Sequence, residues 1–221
     1  MPKIYVPTSG PQSWQALLAD PAKHWKIGYS ARTIANCWEA AGDTLPPEVR
    51  ALFGEDAELL IAIPEHKVSL RDAGRDSQTD VFALVRSKNQ TTAVAVEGKV
   101  NESFGPTVRE WYADASPVKQ QRLAFLCDQI GTPFPPPDDL HYQLVHRTAS
   151  AVLEAERFKT DSAAMIVHSF SPENKWFEAY TALLGLFGLA TNPGELVSTK
   201  LPGGRILYFG WAKGDPRFLS S

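Results

Sequence analysis

The fold of this chain is decided by one stretch, Thr79-Asp-Val-Phe-Ala-Leu-Val-Arg-Ser87, which continues after Lys88-Asn-Gln90 as Thr91-Thr-Ala-Val-Ala-Val-Glu-Gly-Lys-Val100. Both halves are rich in β-branched and apolar residues, and the polar link between them has the length of a hairpin connection. We therefore predict an antiparallel hairpin over residues 79–100. Its alternating positions are apolar on both faces, which is typical of central strands covered on both sides. The sequence thus predicts an α/β fold with a central mixed sheet flanked by helices.

The turn of this hairpin fixes which residues face each other. If it is centred on Lys88 and Asn89, Asp80 lies opposite Glu97, and Lys99 follows two residues along on the same face. Facing carboxylates repel each other and destabilise a strand pair, and a divalent cation bound between them removes that cost. We therefore interpret Asp80 and Glu97 as ligands of a metal ion.

An acid-x-Lys pattern occurs three times, as Glu65-His-Lys67, Glu97-Gly-Lys99 and Glu173-Asn-Lys175. Glu65 follows Pro64 and has no acid-bearing strand before it, and Glu173 lies in a predicted turn or helix start. Only Glu97 lies at the end of a β-branched run and is preceded by a partner strand that begins with an acid. The predicted strands therefore favour Glu97, among the three acids of this pattern, as the functional one.

The length of 221 residues and the 43% hydrophobic content suit one α/β domain over residues 1–221. Within it we predict a helical insertion at 101–139, with helices near 107–113 and 117–130. Other predicted helices are 13–20, 30–41 (capped by Ser30), 140–158 and 174–189. Other predicted strands are 59–63, resuming through 67–70, 163–170 and 205–211.

Charge and targeting patterns restrict the class of protein. The net charge is −3, but residues 1–34 and 199–221 each hold four basic residues against one acid. If the two ends meet, they form a basic rim around an acidic metal centre. No run of about 18 apolar residues exists and the N-terminus lacks a signal-peptide pattern, so we expect a soluble cytoplasmic protein without a membrane segment.

The order helix, strand, strand, strand, helix, strand resembles the PD-(D/E)XK nuclease superfamily, with its restriction-endonuclease-like core, over roughly residues 30–170. Asp80 heads one strand and Glu97-Gly-Lys99 ends the next, although Thr79 stands where the motif has proline. The resemblance implies that Asp80 and Glu97 bind Mg²⁺ or Mn²⁺, that the Gly98 carbonyl supplies another oxygen, and that Lys99 positions the attacking water.

The same resemblance implies further site residues. Glu39, near the end of the first predicted helix, would be an additional metal ligand, and Gln143, His146 and Arg147 would contact the substrate. The expected activity is metal-dependent hydrolysis of nucleic acid, with DNA as the partner and a homodimer left open. The run from Tyr142 to Phe170 also resembles a bacterial family of unassigned function.

Two other classes of function stay open at this point. The same fold can serve as a non-catalytic module that binds protein or nucleic acid, or as a metal-dependent hydrolase of a small phosphorylated ligand; the lack of net positive charge favours both. A Ser/His hydrolase is disfavoured because no Gly-x-Ser-x-Gly elbow exists. Zinc chemistry is disfavoured because two cysteines and five scattered histidines show no ligand spacing.

Overall fold

The computed structural model describes residues 8–70 and 74–220. The helices in these residues are α1 (Pro21–His24), α2 (Ser30–Ala41), α3 (Pro47–Phe53), α4 (Val108–Trp111), α5 (Pro117–Ile130), α6 (Tyr142–Phe158) and α7 (Phe177–Gly185), with 3-10 helices at Pro11–Leu17 and Pro216–Ser220. The strands are β1 (Glu58–Val68), β2 (Ser77–Ser87), β3 (Gln90–Lys99), β4 (Ser162–Ser169), β5 (Leu196–Lys200) and β6 (Ile206–Lys213).

The six strands form one mixed sheet in the order β1-β2-β3-β4-β6-β5. β1, β2 and β3 are antiparallel neighbours, β3, β4 and β6 run parallel, and β5 is antiparallel to β6. Because α6 connects the parallel strands β3 and β4, their C-terminal ends meet at the same edge of the sheet. The predicted α/β class and central mixed sheet are therefore confirmed.

The hairpin of β2 and β3 has the predicted register. Val81 pairs with Val96, and Ser87 pairs with Gln90 next to the turn. Lys88 and Asn89 both have positive φ, 49° and 62°, as a two-residue type I′ turn requires. Continuing this pairing by one residue sets Asp80 against Glu97.

The two faces of the sheet support separate cores, and the alternation read from the sequence predicts which residue joins which. Phe82, Ala93 and Ala95 pack in one core with residues of α5, α6 and α7. Val81, Val94 and Val96 pack in the other with residues of α2 and α3. Since side chains alternate along a strand, Asp80, Glu97 and Lys99 lie on the α6 side of the sheet.

Some boundaries differ from the sequence-based prediction. β1 runs without interruption through Pro64 to Val68, and α7 begins only at Phe177, because Asn174 and Trp176 adopt left-handed backbone angles. Helix α3 and strand β5 were not predicted. Both helices expected in the insertion are present as α4 and α5. The strand resumption predicted over 67–70 is the end of β1 itself, which stops at Val68. No helix of the described part is long and apolar enough to cross a membrane.

Candidate active site

A cavity of about 430 Å³ opens at the edge of the sheet where β1 ends, β2 begins and β3 ends. Acidic and basic side chains share it. Its lining includes Asp80, Glu97 and Lys99 from the hairpin, Gln143, His146 and Arg147 from α6, and Glu65, Gln78 and Glu102. The structure thus brings together six of the residues that the sequence assigned to the site.

Asp80 is oriented by the backbone of the neighbouring strand. Its Oδ2 accepts a hydrogen bond of 2.7 Å from the amide of Gly98. A Cβ at position 98 would lie 3.2 Å from this oxygen and 3.1 Å from Cδ1 of Ile34, so a side chain here would crowd both groups. The Gly98 amide therefore holds the Asp80 carboxylate, and the role of the Gly98 carbonyl as a metal ligand stays a prediction.

Glu97 is buried, with 3% of its surface exposed, and is surrounded by donors. Its Oε1 accepts bonds from Lys99 Nζ at 2.6 Å and from Gln143 Nε2 at 2.8 Å, and its Oε2 accepts one from Arg147 Nε at 2.6 Å. Residues 143 and 147 are four apart on α6 and therefore lie on the same face of the helix. This face holds the Glu97 carboxylate in place through both of its oxygens.

The third carboxylate, Glu65, was missed by the sequence analysis, which had set its acid-x-Lys pattern aside. On β1 its neighbours Pro64 and His66 pair with Val81 and Thr79, so Glu65 faces Asp80 across the ladder. Its Oε2 accepts a bond of 2.8 Å from Gln78 Nε2. Its φ of 51° lies in the left-handed region, which is costly for a residue with a side chain.

The charges in the cavity shift the pKa values of these acids in opposite directions. Burial, the negative charge of Glu97 and incomplete compensation by the nearby cations raise the pKa of Asp80 to about 7. Burial and the charge of Asp80 raise the pKa of Glu65 well above its ordinary range. Burial acts in the same direction on Glu97, but Lys99 and Arg147 outweigh it and lower its pKa. The cations around Glu97 therefore favour its ionised form, while burial and the neighbouring acids favour the protonated forms of Glu65 and Asp80.

His146 lies beside this cluster and is uncharged. Burial and the cations Arg147, Arg122 and Lys99 lower its pKa well below its ordinary value. Its Nδ1 lies 2.9 Å from Ser77 Oγ, which also accepts a bond of 2.8 Å from Arg147. Ser77 therefore donates to His146 and links it to the Arg147–Glu97 pair.

The predicted ligand Glu39 is not among the residues that line the cavity. It lies near the C-terminal end of α2, which packs on the opposite face of the sheet, and its Oε1 accepts a bond of 2.7 Å from the indole of Trp14. Only the N-terminal end of α2 reaches the cavity, through Ser30 and Ala31. The structure does not bring Glu39 to the other predicted ligands.

The N-terminus of α2 is capped from outside the helix. The N-cap residue is Tyr29, whose side chain makes no capping bond; Ser30, the predicted cap, is the first helical residue, and its amide donates to Glu102 Oε1 at 2.8 Å. The other carboxylate oxygen of Glu102 accepts from the amides of Val100 and Asn101. Glu102 therefore lines the cavity as an acid whose oxygens are both bound to backbone donors.

The predicted basic rim does not form around this cavity in the described part of the chain. The C-terminal 3-10 helix packs against α2, so the two ends of the chain do meet. However, none of the described Lys and Arg residues near the two ends lies in the lining of the cavity.

A second buried polar cluster lies on the α2 side of the sheet. The potential ligand atoms of Cys37, Glu48 and His168 lie within 4.8 Å of one another, closer than the carboxylates of the cavity as a group. The indole of Trp38 donates to His168 Nδ1 at 3.3 Å, so the proton of the neutral ring sits on Nε2, 2.7 Å from Glu48 Oε1. Metal binding at Nε2 would force this proton onto Nδ1, against the Trp38 donor. We therefore interpret this cluster as a hydrogen-bond network.

The fold and the cavity define a mixed α/β domain with a buried acid cluster at one edge of its sheet. The chain belongs to a family described as a domain of unknown function, DUF6946, whose model matches residues 7–216. No curated protein and no solved structure matches it. The function therefore has to be argued from the residues of the cavity.

Proposed function

We propose that this protein is a Mg²⁺- or Mn²⁺-dependent nuclease with a restriction-endonuclease-like core, cleaving phosphodiester bonds of DNA. The observation that carries the proposal is the convergence of three carboxylates, Glu65, Asp80 and Glu97, with the ammonium of Lys99 in one cavity. Acidic oxygen ligands beside a single cation are what metal-assisted phosphoryl chemistry requires. Such a cluster destabilises the fold when it has no cation to bind.

The element order supports the fold part of the proposal. Helix α2, strands β1, β2 and β3, helix α6 and strand β4 follow one another in the order on which the resemblance to the nuclease superfamily rests. Asp80 lies near the start of β2, and Glu97 and Lys99 lie at the end of β3. The insertion occupies the connection between β3 and α6.

The cavity fits a hard cation. Asp80 and Glu65 each engage one carboxylate oxygen in a hydrogen bond, and neither Asp80 Oδ1 nor Glu65 Oε1 accepts one from the described residues. Mg²⁺ prefers such oxygens and is commonly bound through one or two carboxylates. A bound cation would polarise the phosphoryl group and activate water for attack.

Lys99 supplies the positive charge by which the protein itself, apart from a bound metal ion, would assist the reaction. Its Nζ is held by Glu97 and by Gln143 Oε1, 3.3 Å away, and lies 4.8 Å from the ring centre of Phe104. The side chain is almost fully buried, so little water screens its charge. An ammonium fixed in this way stabilises negative charge that develops on a phosphate in the transition state.

An adjoining cavity supports a polymeric substrate. This space of about 370 Å³ shares Tyr142 and His146 with the acid-lined cavity, and its other walls carry the basic residues Arg75, Lys119 and Arg122. Lys119 also pairs with Asp114 at 2.9 Å. Basic side chains in a cavity that adjoins the acid cluster suit the phosphates that flank a scissile bond. The proposal includes a cytoplasmic location, which the buried free thiols of Cys37 and Cys127 support.

The decisive experiment is a cleavage assay with Mn²⁺ or Mg²⁺ on single- and double-stranded DNA and RNA. Wild type should cleave at least one substrate, and Lys99→Met should lower kcat by about 100-fold or more because it removes the buried charge but keeps the shape. Lys67→Met, on an exposed lysine of β1, is the matched control and should cleave like wild type. Cleavage that persists in Lys99→Met would overturn the assignment. Binding without cleavage, unaffected by Lys99→Met, would favour the non-catalytic binding module.

A further inference from the structure

We propose that Glu65 and Asp80 form the cation-binding pair of this protein and that Glu97 acts as a positioning residue for Lys99. The inference rests on the proposed function and refines it. It departs from the sequence-based assignment, in which Asp80 and Glu97 were the ligands and Glu39 a third one.

Glu97 has little capacity left for a cation. Its two oxygens accept three short bonds from Lys99, Gln143 and Arg147, two of them from cations. Charge-assisted bonds of this kind are among the strongest that a carboxylate makes. A cation binding here would have to displace one of two buried positive groups and would be repelled by the other.

Glu65 and Asp80, unlike Glu97, each have capacity left to bind a cation. Each accepts one hydrogen bond from a neutral donor, the Gln78 amide group and the Gly98 backbone amide respectively, and each keeps a second oxygen without a donor from the described residues. Both line the cavity, and both lie on adjacent strands at facing positions. Opposed carboxylates of this kind repel each other until a cation binds.

The backbone at Glu65 supports the same pairing. The residue adopts a φ of 51° inside an otherwise extended strand, between Pro64 and His66. This conformation costs energy and persists only where surrounding structure imposes it. Neither Asp80 nor Glu97 has a positive φ. Of these three acids, Glu65, which faces Asp80, is therefore the one with the strained backbone.

A cation site formed by Glu65 and Asp80 also needs no ligand from α2. Glu39 lies on the far side of the sheet and Glu102 is bound to three backbone amides. Two carboxylates with the remaining positions filled by water are sufficient for Mg²⁺ or Mn²⁺. Glu97 then keeps the ammonium of Lys99 at a fixed place beside the cation without binding it.

The test measures Mn²⁺ binding to the full chain by titration calorimetry, separately from cleavage. Glu65→Gln and Asp80→Asn should each weaken the Mn²⁺ Kd by about 100-fold or more, since each removes a ligand. Both should fold, because they remove an acid that repels its neighbour. Glu58→Gln, on an exposed acid at the other end of β1 that does not line the cavity, is the control and should bind Mn²⁺ like wild type.

Glu97→Gln should keep its Mn²⁺ Kd within about twofold of wild type while kcat for cleavage falls at least about 100-fold, a split that a purely structural role would not produce. If Glu97→Gln is too unstable to measure, Glu97→Gln/Lys99→Met removes one charge of each sign and serves the same purpose for the Kd. Loss of Mn²⁺ binding in either variant, or unaltered binding in Glu65→Gln, would overturn the pairing. If wild type binds Mn²⁺ through Glu65 and Asp80 but cleaves no substrate, the nuclease proposal is overturned and the cation-binding pair still holds. If wild type binds no Mn²⁺, both proposals are overturned.

Discussion

Two polar clusters lie on opposite faces of the sheet, and they differ in how many acids they place side by side. In the cluster of Cys37, Glu48 and His168, both ring nitrogens of the histidine have partners and the thiol of Cys37 lies 3.5 Å from Glu48 Oε1. In the acid-lined cavity, Glu65 and Asp80 each keep an oxygen without a donor from the described residues. Only the second cluster also contains a residue with strained backbone.

This difference separates a structural role from a functional one. A network in which one acid accepts hydrogen bonds from its neighbours stabilises the fold and needs no ligand, whereas carboxylates placed side by side repel each other and favour a ligand that supplies positive charge. The comparison therefore predicts opposite effects when a single group is removed from each cluster.

The largest effect is expected from His168→Ala in the cluster of Cys37, Glu48 and His168. The substitution empties the space of a fully buried ring, leaves the Trp38 indole without its acceptor and removes the histidine donor from Glu48. We expect a loss of ~3 kcal/mol in the free energy of unfolding, measured by denaturant titration. His24→Ala, on an exposed histidine, should change it by less than ~0.5 kcal/mol. A neutral His168→Ala would mean that this network does not contribute to stability.

The opposite sign is expected for Asp80→Asn in the acid-lined cavity. Folding raises the pKa of Asp80 to about 7, so the folded protein binds more protons than the unfolded one between pH 4 and pH 7. Stability from this group is complete below the unfolded pKa and is lost as pH rises through the folded one. Asp80→Asn removes this loss and keeps an oxygen for the Gly98 amide, so at pH 8 without metal it should be more stable by ~2 kcal/mol.

The pH profile of the melting temperature checks this prediction. With a metal chelator present, the difference between Asp80→Asn and wild type should grow from pH 4 to pH 7 and then stay constant. Added Mn²⁺ should raise the melting temperature of wild type and not that of the variant. A variant less stable than wild type at pH 8 would show that Asp80 stabilises the fold in the absence of a cation.

The sequence was sufficient for the hairpin because its geometry is local. A two-residue turn at Lys88 and Asn89 fixes the register of β2 and β3, so the positions of Asp80 and Glu97 followed from their numbers. The face of α6 that carries Gln143 and Arg147 followed in the same way from helical periodicity. Both inferences depend on short-range geometry that the sequence specifies directly.

Glu65 and Glu39 show where that reasoning ends. Glu65 meets Asp80 through the pairing of β1 with β2, whose register is set by a longer connection, and its left-handed backbone gives no pattern in the sequence. The helix 30–41 was predicted with the right bounds, but which of its ends reaches the cavity depends on tertiary packing. Glu39 lies nine residues from Ser30, roughly 13 Å along the helix axis from the end that lines the cavity.

A smaller effect is expected at the N-terminus of α2, where Glu102 is a fully bonded acid within the acid-lined cavity. Glu102→Ala should lower the free energy of unfolding by ~1 kcal/mol, because three backbone amides lose their acceptor and the helix N-terminus loses a negative charge. Ser30→Ala should change it by only a few tenths of a kcal/mol, since Ser30 is the first helical residue and not the N-cap. Chemical denaturation of both variants measures the contrast. If Ser30→Ala were the more damaging, the serine would be the cap that the sequence suggested.

The smallest effect is expected from Glu39→Gln, the acid that the resemblance to nucleases implied as a ligand. The glutamine keeps an oxygen that can accept from the Trp14 indole, so the free energy of unfolding should change by less than ~0.5 kcal/mol. Since the residue lies on the α2 side of the sheet, the Mn²⁺ Kd measured by calorimetry should equal that of wild type. A Kd weakened by about tenfold or more would mean that the acid of α2 reaches the cation after all. The conclusion that only acids on the α6 side of the sheet can bind the cation would then fail at this position.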